Sequence, residues 1–203
     1  MKLLYADASP FARKVTVTIR ELGLSDKVEL AVVSTNPLTP NASVQAANPV
    51  AKIPSLLLDD GSSLYDSRVI CEYLCSLAPG NSLFPAAGAD RWTALRRQAL
   101  GDAAMDAAVL VRYLTTLPPA EKRWDAMIDG QMAKIRNALA AADAEAASFG
   151  ARVDIGTVTL GCMLGYLDFR FGDLGWRRDR PALAAWFERF SAIPSMAATA
   201  PKG

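Results

Sequence analysis

Asn48-Pro49-Val50-Ala51-Lys52-Ile53-Pro54-Ser55-Leu56, followed shortly by Tyr65-Asp66-Ser67-Arg68, decides how this chain is read. A proline opens a short apolar run, Pro54 to Leu58, which predicts a strand. Asp59-Asp60-Gly61 is a turn signal, and Ser62 to Tyr65 is the returning arm of a hairpin. Asp66-Ser67 then opens a helix whose apolar positions Ile70, Tyr73, Leu74 and Leu77 share one face. Upstream, Leu3 to Ala6 is a strand candidate broken by Asp7-Ala8-Ser9-Pro10. Ser9 is a good N-cap, and Pro10 suits the first helical position. Phe11, Val15, Ile19 and Leu22 recur at helical spacing, with Arg13, Lys14, Arg20 and Glu21 on other faces, and Gly23 supplies the stop. Val28 to Val33 is rich in β-branched residues and predicts a second strand. Asn36 to Asn41 is a loop leading to a short polar segment around Ser43 to Ala47. The order is therefore β-α-β-α-β-β-α over residues 1–77.

Residues 78–89, with Ala78-Pro79-Gly80-Asn81-Ser82 and Pro85-Ala86-Ala87-Gly88, form a linker. Beyond it, residues 90–203 are alanine-rich and wholly helical in pattern. Asp90 is expected to cap a long helix from Arg91 to about Leu117. Pro118-Pro119 is expected to start another, running to about Ala147. Asp154 opens an apolar helix through Leu167, and Arg180-Pro181 opens a last one through Phe190.

The composition narrows the chemistry. The chain has 203 residues, with 22 Lys plus Arg against 21 Asp plus Glu, for a net charge of +1. That balance argues against nucleic acid or an anionic membrane as the main partner. There is no histidine, which excludes Ser-His-Asp and Cys-His catalysis and His-rich metal sites. Three cysteines, Cys71, Cys75 and Cys162, form no Cys-x-x-Cys pair and read as small buried hydrophobes in a reducing compartment. Met1 to Tyr5 meets Asp7 before an apolar region develops, so no signal peptide is expected. The apolar stretch Ile155 to Leu167 is too short to span a bilayer of about 30 Å. A soluble, cytoplasmic protein is the expectation.

The segments around Ser9, Ile53-Pro54 and Asp66-Ser67, in that order, resemble the glutathione-binding half of the glutathione S-transferase superfamily, and the resemblance runs the length of the chain. It implies a thioredoxin-like α/β domain at residues 1–77 followed by an all-α helical domain. Ala107 to Tyr113 and Tyr166 to Arg170 are similar to small bacterial members. The resemblance implies glutathione as co-substrate, no metal, a small hydrophobic electrophile as second substrate, and a homodimer built with the helices from Arg91 to Leu117 and Pro119 to Ala147.

It also implies roles. In the superfamily the catalytic Tyr, Ser or Cys lies between the first strand and the first helix, and Ser9 holds that position. A free thiol has a pKa of about 8.5, so activation by about two units requires about 2.7 kcal/mol of preferential anion stabilisation. The Ser9 hydroxyl and the helix starting at Pro10 are the sources available. Ile53-Pro54 matches the superfamily's cis-proline step, where Ile53 pairs with the cysteinyl unit of glutathione. Free N–H groups at the helix start and the Ser67 hydroxyl seat the γ-glutamyl carboxylate, while Asp66 faces its ammonium. Lys52 is a candidate for the glycyl carboxylate. Ala8 and Phe11 border the sulfur, with Tyr113 and Tyr166 as further candidates for the electrophile pocket. Asp154-Ile155 resembles the superfamily's helix-capping motif. The usual Ser or Thr three positions earlier is Ala151, so a reciprocal capping box is expected to be missing. The competing readings are a non-catalytic glutathione-binding or interaction module and a glutathione-dependent reductase or peroxidase.

Overall fold

A computed structural model describes residues 1–202, which divide into two compact units. The first holds four strands, β1 (Lys2–Tyr5), β2 (Glu29–Val32), β3 (Ser55–Leu57) and β4 (Ser63–Leu64), in the order β2-β1-β3-β4. β1 and β2 are parallel and are joined through α1 (Pro10–Glu21), while β3 is antiparallel to both β1 and β4. α2 (Ala42–Ala47) accounts for the polar segment before the proline strand, with Asn41 as its cap. α3 (Ser67–Ser76) follows β4.

Strand alternation explains why β1 reads as a continuous apolar run. Successive side chains point to opposite faces, and both faces are covered. Leu4 packs with Val44 and Ala47 of α2, against Ile53 and Leu57. Its neighbour Leu3 is fully buried. α1 and α3 pack together and bury Val15, Ile19, Ile70 and Leu74.

The apolar stripe of α1 is as expected, but its charged residues are not all on a solvated face. Arg13 and Lys14 are both buried. For Arg13 the cause is remote in sequence. From Pro194 onward the chain belongs to the first unit, where a short helix, α8 (Pro194–Ala197), lies against α1. Arg13 Nη2 donates to the Met196 carbonyl at 3.0 Å. These residues were expected in the helical domain.

The second unit, residues 86–193, contains α4 (Gly88–Thr116), α5 (Asp125–Glu145), α6 (Ile155–Arg170) and α7 (Pro181–Ser191). α4 begins before Asp90, which lies in its first turn and interacts favourably with the helix dipole instead of capping it. Pro118-Pro119 leads only to a 3-10 turn, and α5 starts later, at Asp125. Every residue from Ile155 to Leu167 is buried. Two glycines let α6 approach α4 closely: a Cβ on Gly156 would lie 2.6 Å from the Ala94 carbonyl oxygen, and one on Gly101 would lie 2.8 Å from Thr159 Cγ2. Glu145 receives Arg96 and Arg97, and its carboxyl is held below the usual range chiefly by the Arg96 hydrogen bond.

The capping box at α6 is present, contrary to expectation. It runs forward from Asp154 instead of backward to Ala151. Thr157 N donates to Asp154 Oδ1 at 2.9 Å, and Asp154 N donates to Thr157 Oγ1 at 2.9 Å. Threonine at the third helical position thus supplies the acceptor that Glu or Gln usually gives. Asp154→Ala is expected to cost about 1–2 kcal/mol of stability, read as a lower urea midpoint at unchanged slope. Thr157→Val should cost a similar amount, and the double variant less than the sum, because each side chain serves the other. Equal midpoints for Asp154→Ala and the parent chain would refute this assignment.

Candidate functional site

Ladder register brings the three motif segments to one edge. Leu4 pairs with Ser55, and Leu56 pairs with Leu64. β3 is antiparallel to both neighbours, so its N-terminal end lies beside the C-terminal ends of β1 and β4. Extending the register places Ile53-Pro54 between the Ala6–Ser9 loop on one side and Asp66 on the other. With neighbouring strands about 4.8 Å apart, the two outer segments are separated by roughly 10 Å across β3. A short extended peptide spans that distance.

Ser9 is the N-cap of α1, with an extended backbone. Its N–H donates to the Ala6 carbonyl at 3.0 Å, which closes the loop after β1. Its Oγ accepts the Ala12 N–H at a long 3.3 Å. A hydroxyl that accepts one bond still has its own proton to donate, so capping and donation to a sulfur are compatible. Ala8, Ser9 and Phe11 are half-buried.

The Ile53–Pro54 peptide is cis, and Tyr65–Asp66 is a second cis peptide. Pro54 is buried and Ile53 half-buried. The Lys52 carbonyl accepts from Asn48 Nδ2 at 3.0 Å and from Ser55 Oγ at 2.9 Å, which fixes the strand entrance. By contrast, the backbone N–H and C=O of Ile53 enter none of the hydrogen bonds among the described residues. This is an unpaired main-chain edge of the kind that accepts an added strand. The Lys52 side chain is exposed.

Asp66 caps α3, its Oδ1 accepting the Arg68 N–H at 2.9 Å. Arg68 Nε stands 3.6 Å from Asp66 Oδ2. Sequence reading missed Arg68, a cation beside the carboxylate, although the Asp-Ser-Arg run contains it. Asp66 is exposed, whereas Ser67 in the first turn is buried. The first N–H groups of α3 and a cation therefore sit beside an anion-accepting corner.

Tyr113 and Tyr166 belong to the helical unit. Burial raises both phenol pKa values, and Tyr166 also feels Arg170, Tyr113 and Arg112. Tyr166 is almost wholly buried and meets Phe171 edge-on at 6.3 Å. Among the described residues, no three His, Cys, Asp or Glu side chains converge on a possible metal position. No helix among them is long and apolar enough to cross a membrane.

The cysteines stand apart from this edge. Cys71 and Cys75 lie on α3 and Cys162 on α6, all buried and none in a disulfide. The Thr18 hydroxyl donates to Cys71 Sγ at 3.4 Å. Burial first, then Cys71 and Glu72, pushes the Cys75 thiol up to about 12. The native protein should therefore give almost no reaction with Ellman's reagent at neutral pH, and all three thiols should react in denaturant. Rapid labelling of native Cys75 would contradict this geometry.

The chain matches the model described as the Glutathione S-transferase N-terminal domain over residues 3–82, and the Glutathione S-transferase C-terminal domain over residues 102–189. It is 47% identical to a glutathione transferase family member from Pseudomonas fluorescens Pf-5 whose crystal structure holds bound glutathione. That match covers 100% of this chain and 99% of the other, with a TM-score of 0.97. A structure described as a glutathione transferase family member from the same organism, with bound S-(propanoic acid)-glutathione, is 46% identical over 100% of both chains, with a TM-score of 0.92. The GST-like protein YibF of Escherichia coli (strain K12) is 28% identical, over 99% of this chain and 98% of its own length.

Proposed function

We propose that this chain, which belongs to the glutathione S-transferase family, binds reduced glutathione at the edge where β1, β3 and β4 end and transfers it through sulfur to a hydrophobic electrophile. The observation that carries this reading is the convergence of Ser9, the unpaired Ile53 backbone and the N-terminus of α3 at that edge. A protein 47% identical over the full chain binds glutathione.

Glutathione lies across the edge as a short added strand, its cysteinyl unit paired with the N–H and C=O of Ile53 beside Pro54. The γ-glutamyl carboxylate takes the first N–H groups of α3 and the Ser67 hydroxyl, and its ammonium takes Asp66. Lys52 offers an exposed cation to the glycyl carboxylate. The cysteinyl sulfur then faces Ser9, with Ala8 and Phe11 beside it. The thiol loses its proton to solvent; the Ser9 hydroxyl donates a hydrogen bond to the thiolate and the dipole of α1 adds to the stabilisation, lowering the thiol pKa. The thiolate attacks the electrophilic carbon and a C–S bond forms. The electron pair leaves with a departing group, or passes into a conjugated acceptor that is then protonated. Tyr113 and Tyr166 on the helical unit are assigned to the second substrate.

Conjugation is favoured over binding alone because a protein 46% identical holds S-(propanoic acid)-glutathione, a thioether of the kind such a transfer forms. The buried cysteines leave the chemistry to the thiol of glutathione. We also take the chain to be a homodimer. Trp92 on α4 and Trp124 just before α5 expose 69% and 63% of their surface, an apolar offering on the helices assigned to the contact. Sedimentation velocity should return twice the chain mass, and a mass of one chain at micromolar concentration would exclude the dimer.

The test of the chemistry is an ultraviolet pH titration of the bound thiolate. Burial raises the pKa of Tyr5, Tyr113 and Tyr166, so thiolate absorbance below pH ~9 reports glutathione and not these phenols. The parent chain should form thiolate about two units below the solution value, and Ser9→Ala should lose about one to two of those units. Tight glutathione binding with an unshifted thiol would overturn the transferase mechanism and leave a binding module.

A further inference from the structure

We infer that the first unit carries a second binding site, for a small organic dianion, in the cavity between α1, the start of β2 and the C-terminal segment. The cavity has a volume of about 310 Å³ and is lined by residues of that unit alone. It shares Ala6 and Asp7 with the loop that flanks the glutathione edge, but none of Ser9, Lys52, Ile53, Pro54, Asp66 or Ser67 lines it, so it is a neighbouring site that does not rest on the assignment made there.

Arg13 is the core of the argument. It lines the cavity yet is only 5% exposed. Nη2 is committed to the Met196 carbonyl, while Nε and Nη1 are buried and have no acceptor among the described residues. A buried guanidinium with donors unspent is uncommon, because an unmade charged hydrogen bond is costly. Its planar fork matches an oxyanion. Neither neighbouring hydroxyl accepts from it: Thr16 Oγ1 donates to the Arg13 carbonyl at 3.0 Å and Thr199 Oγ1 to the Ser195 carbonyl at 2.8 Å, and neither oxygen takes an Arg13 N–H.

The charge of the wall specifies the ligand further. Arg13, Arg20 and Lys202 give three cations against the single carboxylate of Asp7, a balance of +2. Asp7 also acts on Tyr5, whose phenol pKa is raised first by burial and then by this carboxylate. Ile19, Val28, Leu30 and Ala198 line the rest of the wall with hydrocarbon. Two negative charges on a short apolar body satisfy both parts. A cavity of this size lies at the small end of ligand sites and suits a phosphate monoester or a dicarboxylate better than a bare ion.

Isothermal titration of the full chain with phenyl phosphate, glutarate and inorganic phosphate, without and with saturating glutathione, tests the site. We expect phenyl phosphate or glutarate to bind one per chain, more tightly than inorganic phosphate and regardless of glutathione. Whichever binds more tightly identifies the head group. Arg20 and Lys202 are exposed, so Arg20→Gln/Lys202→Gln should fold normally and bind about tenfold more weakly or worse. Arg13→Lys, with a melting temperature near that of the parent, should lose affinity through its missing fork. Three results would each refute the site: no saturable binding of either organic anion, displacement of the anion by glutathione, or unchanged affinity in Arg20→Gln/Lys202→Gln. Glutathione binding is read independently, so failure there leaves this result interpretable.

Discussion

Leu4 against Ser55 and Leu56 against Leu64 are two ladder contacts on which the site proposed in the first unit depends. Because β3 runs against both neighbours, one register sets three chain ends side by side: the exit of β1, the entrance of β3 and the exit of β4. A slip by one residue would turn every side chain of a strand to the other face, taking Leu3 or Leu56, both fully buried, out of the packing each one fills. Core burial therefore enforces the register, and the register positions Ser9, Ile53 and Asp66. Hydrophobic packing and ligand geometry are here one constraint viewed from the inside and the outside of the sheet.

At that edge the chain uses main-chain groups more than side chains. The features at Ile53, the first turn of α1 and the first turn of α3 are unpaired or partly paired backbone donors, with Ser9 and Ser67 adding hydroxyls. Such a site needs little titratable chemistry of its own, which fits a chain without histidine and with all of its cysteines buried. What it needs is rigidity. The Lys52 carbonyl held by Asn48 and Ser55, and the Ser9 N–H held by the Ala6 carbonyl, provide it within a few residues of the edge.

Legibility followed the range of the interactions involved. Ser9 before Pro10, and Asp66 before Ser67, are local caps, and local chemistry can be read from adjacent residues. The buried α6 was equally readable, since Ile155 to Leu167 carries almost no polarity. Its capping box was misread because the partner was sought upstream at Ala151, whereas Thr157 lies one turn downstream on the same helix. Pro118-Pro119 permits a helix start, but Lys122 and Arg123 stay in a 3-10 turn and its exit, and α5 waits until Asp125. Arg13 and Lys14 were illegible for a different reason. Periodicity places both off the apolar stripe, and for Arg13 the covering partner, Met196, comes only with the return of the chain after Pro194.

That return gives α1 more than one task. Its N-terminal cap lies at the end of β1, where the proposed glutathione sulfur is placed, and its apolar stripe packs on α3. Its third flank holds Arg13 under the C-terminal segment and Arg20 at the rim of the cavity. A helix of twelve residues can serve all three because successive side chains turn by about 100°, so cap, core stripe and cationic flank never compete for a position. Placing a guanidinium on the third flank is costly unless its donors are used. Met196 uses one of them. The burial of Nε and Nη1, which carry three further N–H donors, is hard to reconcile with a purely structural role, since methionine or glutamine would fill the same volume at less electrostatic cost. An oxyanion partner removes that difficulty.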